Sequence, residues 1–159
     1  MKNLRTLVLC ACITFCGLFS AAQNQNFVLN EPDHNKPRIF DNLPGVLPVS
    51  IENLNSLINS KPGERINTSF SNDVRNIPFE GNVFSAVSKY GDKVQTVMIK
   101  STNYIGASLY ISKVVMEDGS VKYNGRIMGS FQNGDIYVLR QNKGLLEFTK
   151  KNYYDVINE

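Results

Sequence analysis

The chain has 159 residues, of which 42% are apolar and 19% are charged, with 11 glycines, 6 prolines and no tryptophan. These proportions exclude collagen-like, coiled-coil and strongly disordered chains, because the apolar content is close to the globular average and the charged content lies below it. One compact domain is the expectation at this length.

The first 22 residues have the pattern of a secretory signal peptide. Lys2 and Arg5 form its charged start, Leu7–Phe19 its apolar centre, and Ser20–Ala22 a small-residue cleavage site. The apolar stretch of about 13 residues is shorter than the ~20 that cross a bilayer, so a retained membrane helix is not expected. We therefore predict cleavage after Ala22 and a secreted or periplasmic protein without a stable membrane span.

All cysteines of the chain, Cys10, Cys12 and Cys16, lie within this leader. A mature chain that begins at Gln23 therefore has no thiol for a disulfide, a metal site or nucleophilic catalysis. The segment Leu9–Cys12 also resembles a bacterial lipobox, in which a cysteine becomes lipid-anchored, but the apolar run continues beyond Cys12 instead of ending there. A lipid anchor is the less favoured alternative to free export.

Loss of the leader removes most of the apparent basic character of the chain. It leaves 15 basic and 14 acidic residues, a formal charge of +1. Nucleic-acid binding depends on the neutralisation of several phosphates at once, so a nearly neutral exported domain is not expected to bind nucleic acid.

The prolines divide the mature chain into two parts, because all six lie between positions 32 and 78. Residues 23–48 are rich in Asn, Asp and Pro and lack periodicity, so they are predicted to form an extended or mobile lead-in. Residues 49–159 are predicted to form a single β-rich domain. Apolar residues that can hold the later half of the lead-in against this domain are Ile39, Phe40, Leu43, Val46 and Leu47.

The predicted domain starts with a helix and continues with strands. Ser50 fits the N-cap of a helix that Lys61–Gly63 ends, and apolar residues recur between them at helical spacing. From Arg65 onward apolar residues alternate with polar ones, with a potential change of phase near Phe84. The alternating positions are Ile66, Thr68, Phe70, Phe79, Gly81, Val83, Val97, Ile99, Leu109, Ile111, Val121, Tyr123, Gly125, Ile127, Ile136, Val138, Leu146 and Phe148.

Short turns between these runs favour antiparallel pairing. A parallel pair would need a crossover of a dozen or more residues, and even the longest link, Ser101–Ala107, is shorter than that. The predicted fold is mainly β: an antiparallel meander of about six to seven strands that forms a small barrel or a strongly bent sheet, with one short N-terminal helix. Glycines that supply the positive φ of tight hairpins are Gly91, Gly119, Gly134 and Gly144.

The sequence contains no recognisable catalytic constellation. The single histidine, His34, has neither a second imidazole nor a mature thiol to complete a metal site. Most carboxylates sit where solvation explains them, Asp135 at a predicted turn among them, and Glu80 and Glu147 are the remaining candidates for a catalytic pair. An enzyme that uses them is the weakest hypothesis. We predict no enzymatic activity, no metal site and no cofactor.

Tyrosines and cations on the predicted strands favour binding. Tyr110 and Tyr137 fall opposite the alternating residues of their strands, so their rings are expected to face outward, although tyrosine is also simply a good strand former. An aromatic and basic binding face for a protein, peptide or glycan is predicted from six residues: Tyr104, Tyr110, Lys122, Arg126, Tyr137 and Arg140.

Three features of the chain carry a resemblance to known proteins. The chain resembles small exported proteins of Bacteroidota in its leader, which ends in Ala21-Ala22-Gln23, and in its composition, which is rich in Asn and Lys. It also resembles them in the stretch from Phe79-Glu80-Gly81-Asn82-Val83 to Tyr153-Tyr154-Asp155-Val156-Ile157-Asn158-Glu159. The resemblance implies an exported bacterial protein and assigns no functional residue.

The predicted function is that of a non-catalytic exported domain that binds a macromolecule or ligand in the periplasm or outside the cell. The alternative is a protease inhibitor or a prosegment-like folding aid, because a small exported β domain can lend an edge strand to a protease cleft. A protruding and well-ordered loop at Ser101–Gly106 would favour this alternative.

Overall fold

The structure is a computed structural model that describes residues 38–71, 76–129, 134–142, 144–152 and 156. The predicted leader with its cysteines, His34 and most of the predicted lead-in lie outside these residues. The elements in chain order are β1 (Val46–Val49), α1 (Ile51–Ile58), β2 (Arg65–Ser71), β3 (Asn76–Lys89), β4 (Val94–Ser101), β5 (Ser108–Val115), β6 (Val121–Met128), β7 (Asp135–Asn142) and β8 (Leu145–Asn152).

The eight strands of the described residues form one antiparallel sheet in the order β1-β8-β7-β6-β5-β4-β3-β2. The sheet curls into a nearly closed barrel, because residues of the two edge strands, β1 and β2, come within a Cα–Cα distance of 8 Å. Curling of this kind protects the edges of a long meander. The predicted mainly-β, antiparallel and barrel-like fold is confirmed, but the sheet has one strand more than the six to seven expected.

The unexpected strand is β1, at the end of the predicted lead-in. Leu47 pairs with Phe148 and Pro48 with Glu147 of β8. The Lys150 N–H donates to the carbonyl oxygen of Gly45, and since bonding direction alternates along a strand, the nitrogen of Pro48 points away from β8. An edge strand tolerates proline in that orientation, so the ladder loses no donor.

Helix α1 follows β1 and packs against β4 and β5. Its predicted N-cap is confirmed, because the Asn53 N–H donates to Ser50 Oγ at 3.1 Å. The buried face of the helix contributes Leu54, Leu57 and Ile58 to the core, whereas Ile51 stays half exposed. Within the described part of the chain, no helix has the length and apolar character needed to span a bilayer.

One hydrophobic core joins the interior of the barrel to α1 and to the segment before β1. Aromatic rings form much of it, and Phe70 packs edge-on against Phe148 with centroids 5.4 Å apart. A register shift between Val83 and Ser85 confirms the change of phase in β3. The largest fully buried side chains are Tyr137, Phe40, Phe70, Phe79, Phe148, Leu47, Leu54, Ile99, Leu109, Ile111, Ile136 and Val97.

Strand β7 has the opposite phase to the one predicted. Tyr137 pairs with Ile127 and Leu139 with Phe148, and all four lie in the core. The predicted positions Ile136 and Val138 therefore lie on the other face of the strand, where Ile136 is still buried at 1% exposure. Residues 136–139 are apolar at every position, so alternation alone does not select a phase, and the contacts with β6 and β8 decide it.

Candidate binding site on strands β4 to β6

The strands β4, β5 and β6 carry positive charge without a compensating carboxylate. They contain Lys100, Lys113, Lys122 and Arg126 and no Asp or Glu. Lys100, Lys122 and Arg126 are exposed on the outer side of the barrel, whereas Lys113 is only partly exposed. We call the outward residues of these three strands the basic face. A negatively charged group that approaches it meets an attractive field.

A shallow recess of about 180 Å³ lies within the basic face. Tyr110 and Arg126 are direct partners in the β5–β6 ladder. In the next row, Ser112 pairs with Thr96 on one side and with Asn124 on the other. The recess therefore offers a phenol, a guanidinium, hydroxyls and an amide to one ligand. Its full lining is Thr96, Tyr110, Ile111, Ser112, Asn124, Gly125 and Arg126.

Apolar groups extend the basic face toward β3. The ring of Phe84, at the register shift, is 59% exposed, and the Lys100 Nζ lies 3.9 Å from its centroid. Met98 lies between them and the recess, paired with Tyr110 on β5. The cation–π contact orients Lys100 over the ring, so aromatic surface and positive charge occur side by side.

The structure brings four of the six predicted binding residues to the outer surface. Tyr110, Lys122 and Arg126 belong to the basic face, and Arg140 is exposed on β7 opposite Glu147 of β8. The recess includes Tyr110 and Arg126 but not the other two. The remaining predicted residues, Tyr104 and Tyr137, pack against the core instead.

Tyr137 faces the interior, so the expectation that its ring points outward is wrong. The side chain is fully buried and packs edge-on against Phe40, with centroids 5.5 Å apart. Its hydroxyl donates to the carbonyl oxygen of Pro44 at 2.6 Å. Burial, together with the nearby carboxylate of Asp135, raises the pKa of Tyr137 far above its usual value. The phenol therefore serves as a buried hydrogen-bond donor.

Tyr104 anchors the connection between β4 and β5. Its ring lies 6.2 Å from that of Phe40 and is stacked at 6.3 Å on Phe79. Partial burial raises the pKa of its hydroxyl. The ring is thus committed to the core rather than to a ligand on the outer surface.

The same connection is clamped to β3 by the side chain of Asn103. Its Nδ2 donates to the carbonyl oxygen of Pro78 at 2.9 Å, and its Oδ1 accepts from the Glu80 N–H at 3.1 Å. The Thr102 N–H donates to the carbonyl oxygen of Glu80 at 2.8 Å. The side-chain amide of Asn103 thus makes the two hydrogen bonds to β3 that the backbone of one more β4 residue would make. These bonds hold the connection in place.

The tip of this connection presents one large apolar side chain. The Ala107 N–H donates to the carbonyl oxygen of Tyr104 at 2.9 Å and closes a tight turn. Gly106 supplies the positive φ of +84° that the turn requires. Ile105 lies between them and is 87% exposed. The turn thus fixes the backbone at Ile105, and the side chain extends into solvent.

The two carboxylates considered for catalysis have separate partners. Glu80 on β3 lies 3.4 Å from Arg65 Nη2, and Glu147 on β8 accepts a hydrogen bond from Asn142 Nδ2 at 3.2 Å. Their strands have no neighbour in common in the sheet. In the described ranges, no three His, Cys, Asp or Glu residues are grouped to hold a metal ion.

Sequence reasoning missed a buried carboxylate. Asp135, expected at a solvated turn, begins β7 and is only 8% exposed. Its Oδ1 lies 3.8 Å from Arg38 Nη1. The Asn-Gly pair before Asp135 strongly predicts a turn, so the sequence pattern does not show that Asp135 is already part of the sheet.

The fold and the basic face together define this molecule as a small, nearly closed antiparallel β-barrel domain with an aromatic, cationic outer recess. No protein-family model matches the chain, and none of the curated proteins or solved structures compared with it gives a significant match. The function proposed below therefore rests on the residues themselves.

Proposed function

We propose that this protein is an exported, non-catalytic domain that binds a negatively charged macromolecule, an acidic glycan, in the periplasm or outside the cell. The observation that carries the proposal is the lack of any carboxylate on β4–β6 around a recess formed by Tyr110 and Arg126. The signal-peptide pattern of residues 1–22 supports export.

Each side of the recess matches a part of an acidic sugar chain. The planar guanidinium of Arg126 can bind a carboxylate through two hydrogen bonds. The ring of Tyr110, 36% exposed, supplies apolar contact, and the hydroxyl and amide groups of the next row can bond to sugar hydroxyls. The shallow shape favours a polymer lying along the sheet over an enclosed small molecule.

The test is calorimetric titration of the purified protein with alginate, a polymer of uronic acids, and with neutral dextran. We expect saturable, salt-sensitive binding of alginate only. Arg126→Gln and Tyr110→Ala should each lower the affinity for alginate about tenfold or more, which corresponds to the loss of a contact of about 1.4 kcal/mol.

A matched control separates the recess from net charge. Arg65→Gln removes one positive charge from β2, where Arg65 pairs with Glu80 away from the recess. Equal losses in Arg65→Gln and Arg126→Gln, or equal binding of alginate and dextran, would refute the proposed site. Circular dichroism establishes that each variant keeps the wild-type fold.

Inhibition of a secreted protease is the second candidate function, and the ordered connection with Ile105 at its tip favours it. A single exposed aliphatic side chain on a fixed backbone loses little conformational entropy when it enters an apolar pocket. The closed turn at Tyr104–Ala107 is not extended, however, whereas a strand lent to a protease cleft must be. The acidic-glycan function therefore ranks first.

Inhibition assays with a panel of secreted serine, cysteine and metalloproteases decide the second candidate. If it is correct, wild-type protein inhibits at least one protease, Ile105→Asp abolishes the inhibition, and Leu145→Asp retains it. Leu145 is a suitable control because it is 72% exposed at the start of another strand. A panel that stays fully active removes this candidate.

A further inference from the structure

The ladder between β6 and β7 is much shorter than its neighbours. It has three residue pairs, which join Arg126–Met128 to Ile136–Val138. The ladders on either side, β5–β6 and β7–β8, have eight pairs each. Among the described residues, the ladder therefore does not extend to Val121–Gly125 on β6, nor to Leu139 and Gln141 on β7.

The direction of the unpaired backbone groups follows from the hairpin before β6. The Met116 N–H donates to the carbonyl oxygen of Ser120 at 2.8 Å. Because bonding direction alternates in an antiparallel pair, the residues of β6 whose N–H and C=O groups point toward β7 are Val121, Tyr123 and Gly125. By the same alternation, the residues of β7 that face β6 are Leu139 and Gln141.

An opening of about 240 Å³ lies between these two rows of backbone groups. It closes at Gly125, where a Cβ atom would stand only 3.3 Å from Leu139 Cβ. Its apolar lining includes the exposed side of Ile51 from α1, and its polar lining includes an amide from each strand. The complete lining is Ile51, Val121, Lys122, Tyr123, Asn124, Leu139, Gln141, Gly144 and Leu146.

Both sides of the opening are fixed to other parts of the barrel. The Tyr123 hydroxyl donates to Asn55 Oδ1 of α1 at 2.8 Å and holds β6 to the helix. Strand β7 pairs with β8 along its whole length, and Lys150 Nζ of β8 donates to the carbonyl oxygen of Leu43 at 3.2 Å. Each of the two strands is thus attached to a different part of the barrel.

We propose that this opening receives an extended acidic segment of a partner polypeptide, which adds as a short strand between β6 and β7. An extended backbone presents N–H and C=O groups on both of its edges at the spacing that the two rows require, and no sugar polymer does so. Lys122 at the rim and the absence of carboxylates from β6 favour acidic side chains. The inference is independent of the glycan site, because it uses backbone groups rather than Tyr110 and Arg126.

The test uses a panel of synthetic hexapeptides that alternate an aliphatic residue with glutamate, at millimolar concentration, and amide exchange of the protein followed by NMR. We expect at least one peptide to slow exchange by an order of magnitude or more at Val121, Tyr123 and Gln141. The same peptide with its backbone nitrogens methylated should not bind, and a version with lysine in place of glutamate should bind more weakly.

Val121→Pro tests the same geometry from the side of the protein. The Val121 N–H points into the opening and not toward β5, so the substitution removes a donor for the peptide and none from the barrel. We expect weaker peptide binding and unchanged alginate binding, whereas Arg126→Gln should have the reverse effects. No protection by any peptide, equal binding of the methylated analogue, or protection confined to β1 and β2 would each overturn the inference.

Discussion

One buried hydroxyl, that of Tyr137, fastens the segment before β1 to the barrel. Its hydrogen bond to the Pro44 carbonyl is 2.6 Å long and lies in the core beside Phe40. Tyr137→Phe removes the donor and leaves the ring in place. We expect the free energy of unfolding, measured by urea denaturation at neutral pH, to fall by about 1 kcal/mol. An unchanged value would mean that water replaces the bond at no cost.

The same residue predicts a fall in stability at high pH. Burial raises the pKa of Tyr137 in the folded state above that in the unfolded chain. The contribution of Tyr137 to the free energy of unfolding is therefore complete below about pH 10. It declines as the pH rises toward the folded-state pKa, by up to ~1.4 kcal/mol per pH unit. Tyr137→Phe should lack this decline, so the gap between the two unfolding curves should narrow above pH 10. Parallel curves would contradict the assignment.

Two glycines within strands are required by lack of space. A Cβ on Gly81 would lie 2.5 Å from the carbonyl oxygen of Lys100, and one on Gly125 would lie 3.1 Å from Phe148 Cε1. We expect Gly81→Ala to lower the free energy of unfolding by about 1–3 kcal/mol, because backbone must move, and Gly125→Ala to lower it less. Gly45→Ala is the control, since nothing lies within 4 Å of its added atom. Equal stabilities of Gly81→Ala and Gly45→Ala in urea would contradict this explanation.

At the scale of elements, the β4–β5 connection depends on a side chain that replaces a strand. Asn103→Ala removes both bonds to β3, so we expect a loss of about 1–2 kcal/mol in the free energy of unfolding and faster exchange of the Glu80 amide. Asn103→Asp keeps the oxygen that accepts from Glu80 and loses the donor to Pro78. Glu80 should therefore stay protected in Asn103→Asp. Unchanged exchange in Asn103→Ala would show that the clamp is dispensable.

The elements that the sequence predicts are those with local causes. Ser50 caps α1 by accepting a hydrogen bond from the N–H of Asn53, three residues later. Gly119 and Gly144 adopt the positive φ expected of hairpin turns. Strand β1 and the phase of β7 have no such cause. The first depends on pairing with a strand a hundred residues later, and the second on whether Tyr137 or Ile136 meets Ile127 across the sheet.

At the scale of the whole molecule, part of the binding surface is visible in the sequence. The absence of carboxylates from β4–β6 and the presence of Tyr110, Lys122 and Arg126 can be read directly from the residues. The recess depends on which residues become neighbours across three strands. The opening beside β7 depends on where the β6–β7 ladder stops, which is next to Gly125, and no local sequence pattern encodes that point.

The opening also predicts an exchange pattern across the barrel of the unliganded protein. Strands β4 and β5 have a paired strand on each side, so every backbone amide along them is hydrogen-bonded to one neighbour or the other. These amides should exchange slowly, because they exchange only when the domain unfolds. In β6, Lys122 and Asn124 bond to β5 and should be equally slow. Val121 and Tyr123 face the opening and should exchange faster by orders of magnitude, with rates that low concentrations of denaturant leave unchanged. Uniform protection along β6 would show that the two rows of backbone groups are already paired, and it would leave no room for a partner strand.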